Sequence, residues 1–266
     1  MAANNTLGFI PAICMGIIQG LTEFLPVSSS GHLALAGHFG LGVANPLFFD
    51  AYLHMATLLV VVLHFRQDLA DCWRRDRWVI GYILLATFPT AVIGFTCQDY
   101  FKALRQSPTM IALGLLVIST TLSLADLVRG GFALERLGKF GAFFLGLCQA
   151  LALAPGISRS GITISGAILC GVERKKAFRF SFLLAIPAIA GAVGSEGLVF
   201  WQQGGEGELW RFLFSWVNLA AFAVTAGVGY LSLRLLGRLV EGGKLSWFAA
   251  YCFLLAMLVL VYFNYA

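Results

Sequence analysis

The sequence predicts an all-α polytopic membrane protein: six transmembrane helices plus two re-entrant helical hairpins in an inverted-topology repeat. Three observations carry that expectation. The chain is 59% hydrophobic and 12% charged, with a mean hydropathy of +0.84, whereas soluble domains carry about 25% charged residues. Six stretches are long and apolar enough to cross a bilayer, which takes about 20 residues each. One Ser-rich motif is written twice, 130 residues apart: QGLTEFLPVSSSGH from Gln19 to His32 and QALALAPGISRSGI from Gln149 to Ile162.

Each element follows in order. The first apolar stretch, 8–43, is broken in its middle by the first motif. Predicted spans then cover 47–64, 79–98 and 108–127. The second broken stretch is 141–171, and spans over 178–198, 212–233 and 246–264 follow it. Broken backbone at membrane depth is tolerated only where protein or a wet cavity receives its polar groups. Pro89 and Pro187 fall inside predicted spans, where kinks are expected. A single integral-membrane domain is predicted, with repeat one at 1–128 and repeat two at 129–266.

Basic residues orient the spans. Four groups, at 66–77, 129–139, 174–179 and 234–244, hold 14 of the 18 Lys and Arg. By the positive-inside rule all four are cytoplasmic. The stretch 141–171 then leaves and returns on one side, as a re-entrant hairpin. The first stretch dips in from the opposite side, and both termini are external. Inverted repeats of this kind build sites where their broken helices meet near the midplane. The N-terminus has no Lys, Arg or small-residue cleavage pattern, so no removable signal peptide is expected. The six cysteines are scattered without a C-x-x-C and read as free thiols. The net charge of +5 reports orientation rather than nucleic acid.

The two motifs differ in their chemistry. Only the first has a carboxylate, Glu23, and an imidazole, His32. Only the second has a guanidinium, and Arg159 stands where Ser29 stands in the first. Ser28, Ser30, Ser158 and Ser160 are N-cap candidates for second half-helices near 32–43 and 161–171. Helix starts favour anions, and Arg159 adds a planar donor suited to phosphate. With Gly31, Gly156 and Thr163, these serines form the predicted phosphate-binding set. Glu23 and Gln19 share a helix face and could hold a divalent cation, magnesium or calcium, through hard oxygens, or position a water. The plainer reading of Glu23 is a salt bridge to Arg159 that pins the hairpins. For the serines it is capping, and for His32 it is a packing hydrogen bond. His32 next to three serines could instead act as acid, base or nucleophile. Asp50 and His54 lie one turn apart on the next span and read equally as support for the site or as packing. His38 and His64 read as bland.

These residues resemble the bacterial undecaprenyl-diphosphate phosphatase family of the bacitracin-resistance type. The likeness rests on Gln19-x-x-x-Glu23, on LPVSSSGH from Leu25 to His32 and on PGISRSGIT from Pro155 to Thr163. FFDAYLHMATLL from Phe48 and RFSFLLAIPAI from Arg179 extend it over most of the chain. The resemblance implies hydrolysis of the polyprenyl lipid undecaprenyl diphosphate to undecaprenyl phosphate. That recycles the lipid carrier of cell-wall synthesis and confers bacitracin resistance. It also implies a multi-pass protein of the bacterial plasma (inner) membrane, an active site facing the periplasm or exterior, and a divalent cation. Glu23, Ser29, His32 and Arg159 map to catalysis, with Gln19 in support at a position that is Glu in many relatives. Whether the nucleophile is Ser29, His32 or water stays open. Expected partners are the lipid substrate and membrane lipids, with no nucleic acid; a homo-oligomer is compatible with the sequence. The rival reading is a flippase of undecaprenyl phosphate, since inverted repeats with broken helices are also transporter architecture.

Overall fold

The computed structural model describes residues 8–41 and 46–265. Among them lie twelve α-helices: α1 (Phe9–Phe24), α2 (Ser29–His38), α3 (Pro46–His64), α4 (Arg66–Arg74), α5 (Arg77–Thr96), α6 (Gln98–Arg105), α7 (Pro108–Leu127), α8 (Gly138–Leu151), α9 (Arg159–Leu169), α10 (Arg174–Leu213), α11 (Trp216–Glu241) and α12 (Leu245–Tyr265). Six are long and apolar enough to cross a membrane: α3, α5, α7, α10, α11 and α12.

The predicted span 108–127 is α7 itself. Pro108 occupies its first turn, and the Ser107 hydroxyl accepts the Met110 N–H at 3.4 Å, a start signal written in the sequence. The span predicted at 178–198 is longer, because α10 runs from Arg174 to Leu213. Its polar flanks, RKKA before and QQGGEGELWRFL after, are helix that a hydropathy window does not count. Pro187 sits inside it, but the break falls at Gly205, at φ 72°. α11 begins at Trp216 rather than at 212, since α10 carries on to Leu213. The short helices α4 and α6 lie in connections that the sequence reading left without structure.

The two Ser-rich motifs break their helices as expected. α2 and α9 are 10 and 11 residues long, about 15 Å at 1.5 Å per residue and so half of a hydrocarbon core. Both begin earlier than predicted, because the first serine of each motif is the cap. Ser28 Oγ accepts the Gly31 N–H at 3.3 Å, and Ser158 Oγ accepts the Gly161 N–H at 3.1 Å. α2 also ends at His38, short of the predicted 43, with Phe39 as its C-cap; residues 42–43 and the N-terminal residues 1–7 lie outside the described residues.

Helices distant in the chain interlock. α1 packs on α11, and α8 packs on α5. Gly16 and its repeat-mate Gly146 make both contacts possible. A Cβ at Gly16 would lie 2.9 Å from the Ala221 carbonyl oxygen, and one at Gly146 2.3 Å from that of Ala86. One turn on, Thr225 Oγ1 donates to Gly16 O and Thr90 Oγ1 donates to Gly146 O, each at 3.1 Å. α7 packs on α12, where Ser119 Oγ donates to Ala249 O at 2.8 Å. Those two residues are themselves 130 apart.

All four basic groups collect at one end. Arg179 on α10 pairs with Asp68 on α4. Arg174 pairs with Asp126 at 3.2 Å, and Asp126 also accepts the Leu245 and Ser246 N–H groups. The 129–139 loop bridges to Val172 through Phe132. At the opposite end Arg105 pairs with Asp50, and Lys102 with Glu196. Between the ends, large apolar side chains such as Leu84, Phe88, Leu254 and Leu258 stand exposed. That surface suits a hydrocarbon solvent. All six cysteines are free thiols.

Candidate active site

Leu25 takes an extended conformation, as expected ahead of Pro26. This ends α1 and leaves Glu23 in its last turn, buried and facing inward. The chain turns back at Ser28, the one described non-glycine residue with positive φ, at 70°. Backbone in such sparsely populated regions costs about 1–3 kcal/mol and clusters at functional sites. Its repeat-mate Ser158 has an ordinary φ of −73°, so the strain sits in the half that carries the acid.

The two tips touch. A Cβ on Gly31 would lie 3.3 Å from Gly156 Cα, and one on Gly161 3.1 Å from Pro26 Cβ. Gly156 itself has φ 87° and lies against the Ile111 carbonyl, so a side chain there is excluded twice over. This approach brings the first residues of α2 and α9 together. Ser29 Oγ donates to Glu23 Oε2 at 2.6 Å, and Arg159 NH2 donates to Glu23 Oε1 at 2.8 Å. Gln19 Nε2 donates to Oε2 at 3.2 Å from one turn back along α1. The Arg159 guanidinium stacks over the Phe182 ring, 5.7 Å from its centroid.

A fourth group reaches Glu23 from α3. His54 Nε2 lies 3.2 Å from Glu23 Oε2, while Nδ1 lies 2.7 Å from the Asp50 carbonyl oxygen. The Asp50 carboxylate in turn holds Arg105. Sequence reasoning left His54 undecided and missed Arg105. The signal was present in the one-turn spacing of Asp50 and His54, but nothing local says which face of α3 meets Glu23.

Of the four residues expected in catalysis, three converge and one turns aside. His32 Nδ1 lies 2.8 Å from Ser28 O, and Nε2 lies 2.8 Å from the Tyr251 hydroxyl on α12, with the two rings stacked. Ser28 and Ser158 cap their helices, and each sits within hydrogen-bond reach of its neighbour, Ser30 at 3.4 Å or Ser160 at 3.1 Å. The Thr163 hydroxyl bonds the Arg159 carbonyl at 2.7 Å and lies 2.6 Å from Ser181 Oγ, so it secures the turn that bears Arg159. Gln149, repeat-mate of Gln19, bonds Thr90 at 3.2 Å. Leu153 occupies the position equivalent to Glu23, so the second motif has no acid of its own.

Two buried polar atoms at the centre have no hydrogen-bond partner among the described residues: Arg159 NH1 and Gln19 Oε1. Buried polar groups are normally satisfied, so a donor and an acceptor stand ready for a ligand. Among the described residues no three His, Cys, Asp or Glu form a metal cage. Gln19 Oε1 and the Glu23 carboxylate nevertheless supply two hard oxygens.

Architecture and site together define a polytopic membrane protein with one buried carboxylate, hydroxyl and guanidinium centre between two broken helices. The chain belongs to the family described as Bacitracin resistance protein BacA, whose profile matches residues 12–258. It is 39% identical to the undecaprenyl-diphosphatase of Rubrobacter xylanophilus over 95% of this chain and 97% of that one. Against the undecaprenyl-diphosphatase of Desulfosudis oleivorans it is 40% identical over 92% of this chain and 95% of that one. The enzyme of the same name from Syntrophotalea carbinolica is 39% identical over 94% and 97%.

Proposed function

We infer that this chain hydrolyses undecaprenyl diphosphate to undecaprenyl phosphate and phosphate, as its relatives' names describe, and so contributes to bacitracin resistance. The observation that carries the site assignment is the meeting of Ser29 and Arg159 on the two oxygens of Glu23. One carboxylate is thereby poised to accept a hydroxyl proton beside a guanidinium with a free N–H.

The terminal phosphate binds Arg159 NH1 and the first-turn N–H groups of α2 and α9. Ser29 Oγ attacks phosphorus while its proton passes to Glu23. The bond to the bridging oxygen breaks, and the prenyl monophosphate leaves. Water then hydrolyses the phosphoserine, and Glu23 returns its proton. Gln19 and His54 hold the Glu23 carboxylate at the angle this transfer needs. A divalent cation held by Glu23 and Gln19 would neutralise charge on the diphosphate oxygens. His32, bonded to Tyr251, orients the first turn of α2 through Ser28.

The interlocked helices support an inverted-topology repeat of one membrane domain. Swapping the halves maps α1 on α11 onto α8 on α5, and sends Ser119 to Ala249. The short helix pairs α1–α2 and α8–α9 are its two re-entrant hairpins. With the basic end cytoplasmic, the site opens toward the exterior. Along α3, Glu23's partner His54 is four residues from Asp50 and its Arg105, but ten from His64 at the basic end. These separations are roughly 6 and 15 Å at 1.5 Å per residue.

Phosphate release by the detergent-purified protein tests the assignment, since no sidedness exists there. Ser29→Ala and added chelator should each stop release. Full activity of Ser29→Ala would leave water as the attacking group, and binding of undecaprenyl phosphate without any hydrolysis would favour the flippase reading.

A further inference from the structure

The basic end carries a second cavity, remote from Glu23. It encloses about 520 Å³ between α3, α4, α10 and α11. Four cations line it: Lys175, Arg179, Arg234 and Arg238. Arg179 is taken up by Asp68. Lys175, Arg234 and Arg238 have no ion pair among the described residues, although Asp71 and Glu241 also line the cavity. Arg234 lies over the Tyr230 ring, 5.6 Å from its centroid.

Beside this cup runs another cavity of about 520 Å³, with Val60, Leu63, Ala226 and Tyr230 along its apolar wall and Arg66 at its polar end. His64 and Gln67 line both, so the two spaces adjoin. Ala226 lies two to three turns deeper along α11 than Arg234 and Arg238, Val60 lies one turn deeper along α3 than His64, and Leu63 and Tyr230 are half exposed. The pair therefore has the form of an amphiphile: a charged cup at headgroup level, opening sideways onto an apolar groove at chain level. Basic pockets between helices at a membrane surface recognise lipid phosphates, and a soluble anion would leave the groove unused.

We propose that this paired cavity binds a phosphate-bearing lipid from the leaflet at the basic end, with Arg234 and Arg238 on the phosphate and the chain in the α3–α11 groove. The phosphate could belong to a polyprenyl monophosphate or to a bulk anionic phospholipid; the chemistry is shared.

The test uses the full chain purified in detergent and three probes: a polyprenyl monophosphate, phosphatidylglycerol and inorganic phosphate. Two variants are compared with the parent, Arg234→Gln/Arg238→Gln for the headgroup and Ala226→Trp for the groove. Loss of one charge-assisted contact weakens binding by about tenfold or more. That loss is expected for at least one of the two lipid-phosphate probes in both variants, with turnover of a short, water-soluble prenyl diphosphate unchanged. Loss confined to the polyprenyl probe identifies the carrier lipid as the occupant, and equal loss for both lipids identifies bulk phospholipid. Retention of lipid that is the same in all three proteins overturns the proposal. So does binding of inorganic phosphate alone, insensitive to Ala226→Trp.

Discussion

Ser29 and Arg159 occupy the same position in two motifs 130 residues apart, and in the folded chain they bond the two oxygens of one carboxylate, Glu23. The hydroxyl comes from one half and the guanidinium from the other, so neither half alone contains the site.

Glu23→Gln should lower turnover by about 10²–10⁴-fold, the range for loss of a general base. It also leaves the Arg159 guanidinium without its counter-charge, and breaking a buried pair this way costs about 3–5 kcal/mol. Phosphate release and the thermal midpoint of the purified protein are therefore expected to fall together. Parent-like turnover in Glu23→Gln would remove the carboxylate from the mechanism.

Arg159→Lys keeps the charge but loses the fork that bonds Glu23 through one nitrogen and offers the other to substrate. Its turnover is expected to drop by about 10²–10³-fold, on the scale of a lost transition-state donor, with less effect on stability than Arg159→Ala. Equal kinetics for the Lys and parent proteins would mean that charge alone matters.

His54 acts through Glu23, so its replacement should misplace the carboxylate rather than remove it. His54→Ala is expected to cost about 10²-fold in kcat, as small misplacements do, with KM little changed. His54→Gln, which can still donate to Glu23, should recover much of that loss. A variant pair with identical kcat values would assign His54 to packing.

Gly146 and Gly16 can be tested as equivalents. Val at either position forces a side chain into backbone at the α8–α5 or α1–α11 contact, and overpacking of this kind costs about 1–3 kcal/mol. Both variants should unfold at lower temperature by similar amounts. A drop for one and not the other would show that the two contacts are not energetically equivalent.

Much of this was legible in the chain. Hydropathy located the six spans, since a helix that crosses hydrocarbon must be apolar for its whole length. α7 was met to the residue because its start is signalled by Ser107 and Pro108. The repeat pointed to Glu23, Ser29, His32 and Arg159, because the two motifs differ at those reactive positions, and the fold brings three of the four together. Less was legible where polar helix continues past the apolar window, as at both ends of α10, or where the cap could be any of several serines.

Composition and repetition alone determined that the protein lives in a bilayer, that its motifs break two helices, and which residues carry charge into them. Only the tertiary structure decided which of these meet. The sequence favoured His32, which follows three serines, over His54, yet His54 bonds Glu23 and His32 bonds Tyr251. That choice depends on the rotation and packing of α3 and α12 against the hairpins, which arises from contacts between residues far apart in the chain and leaves no local mark.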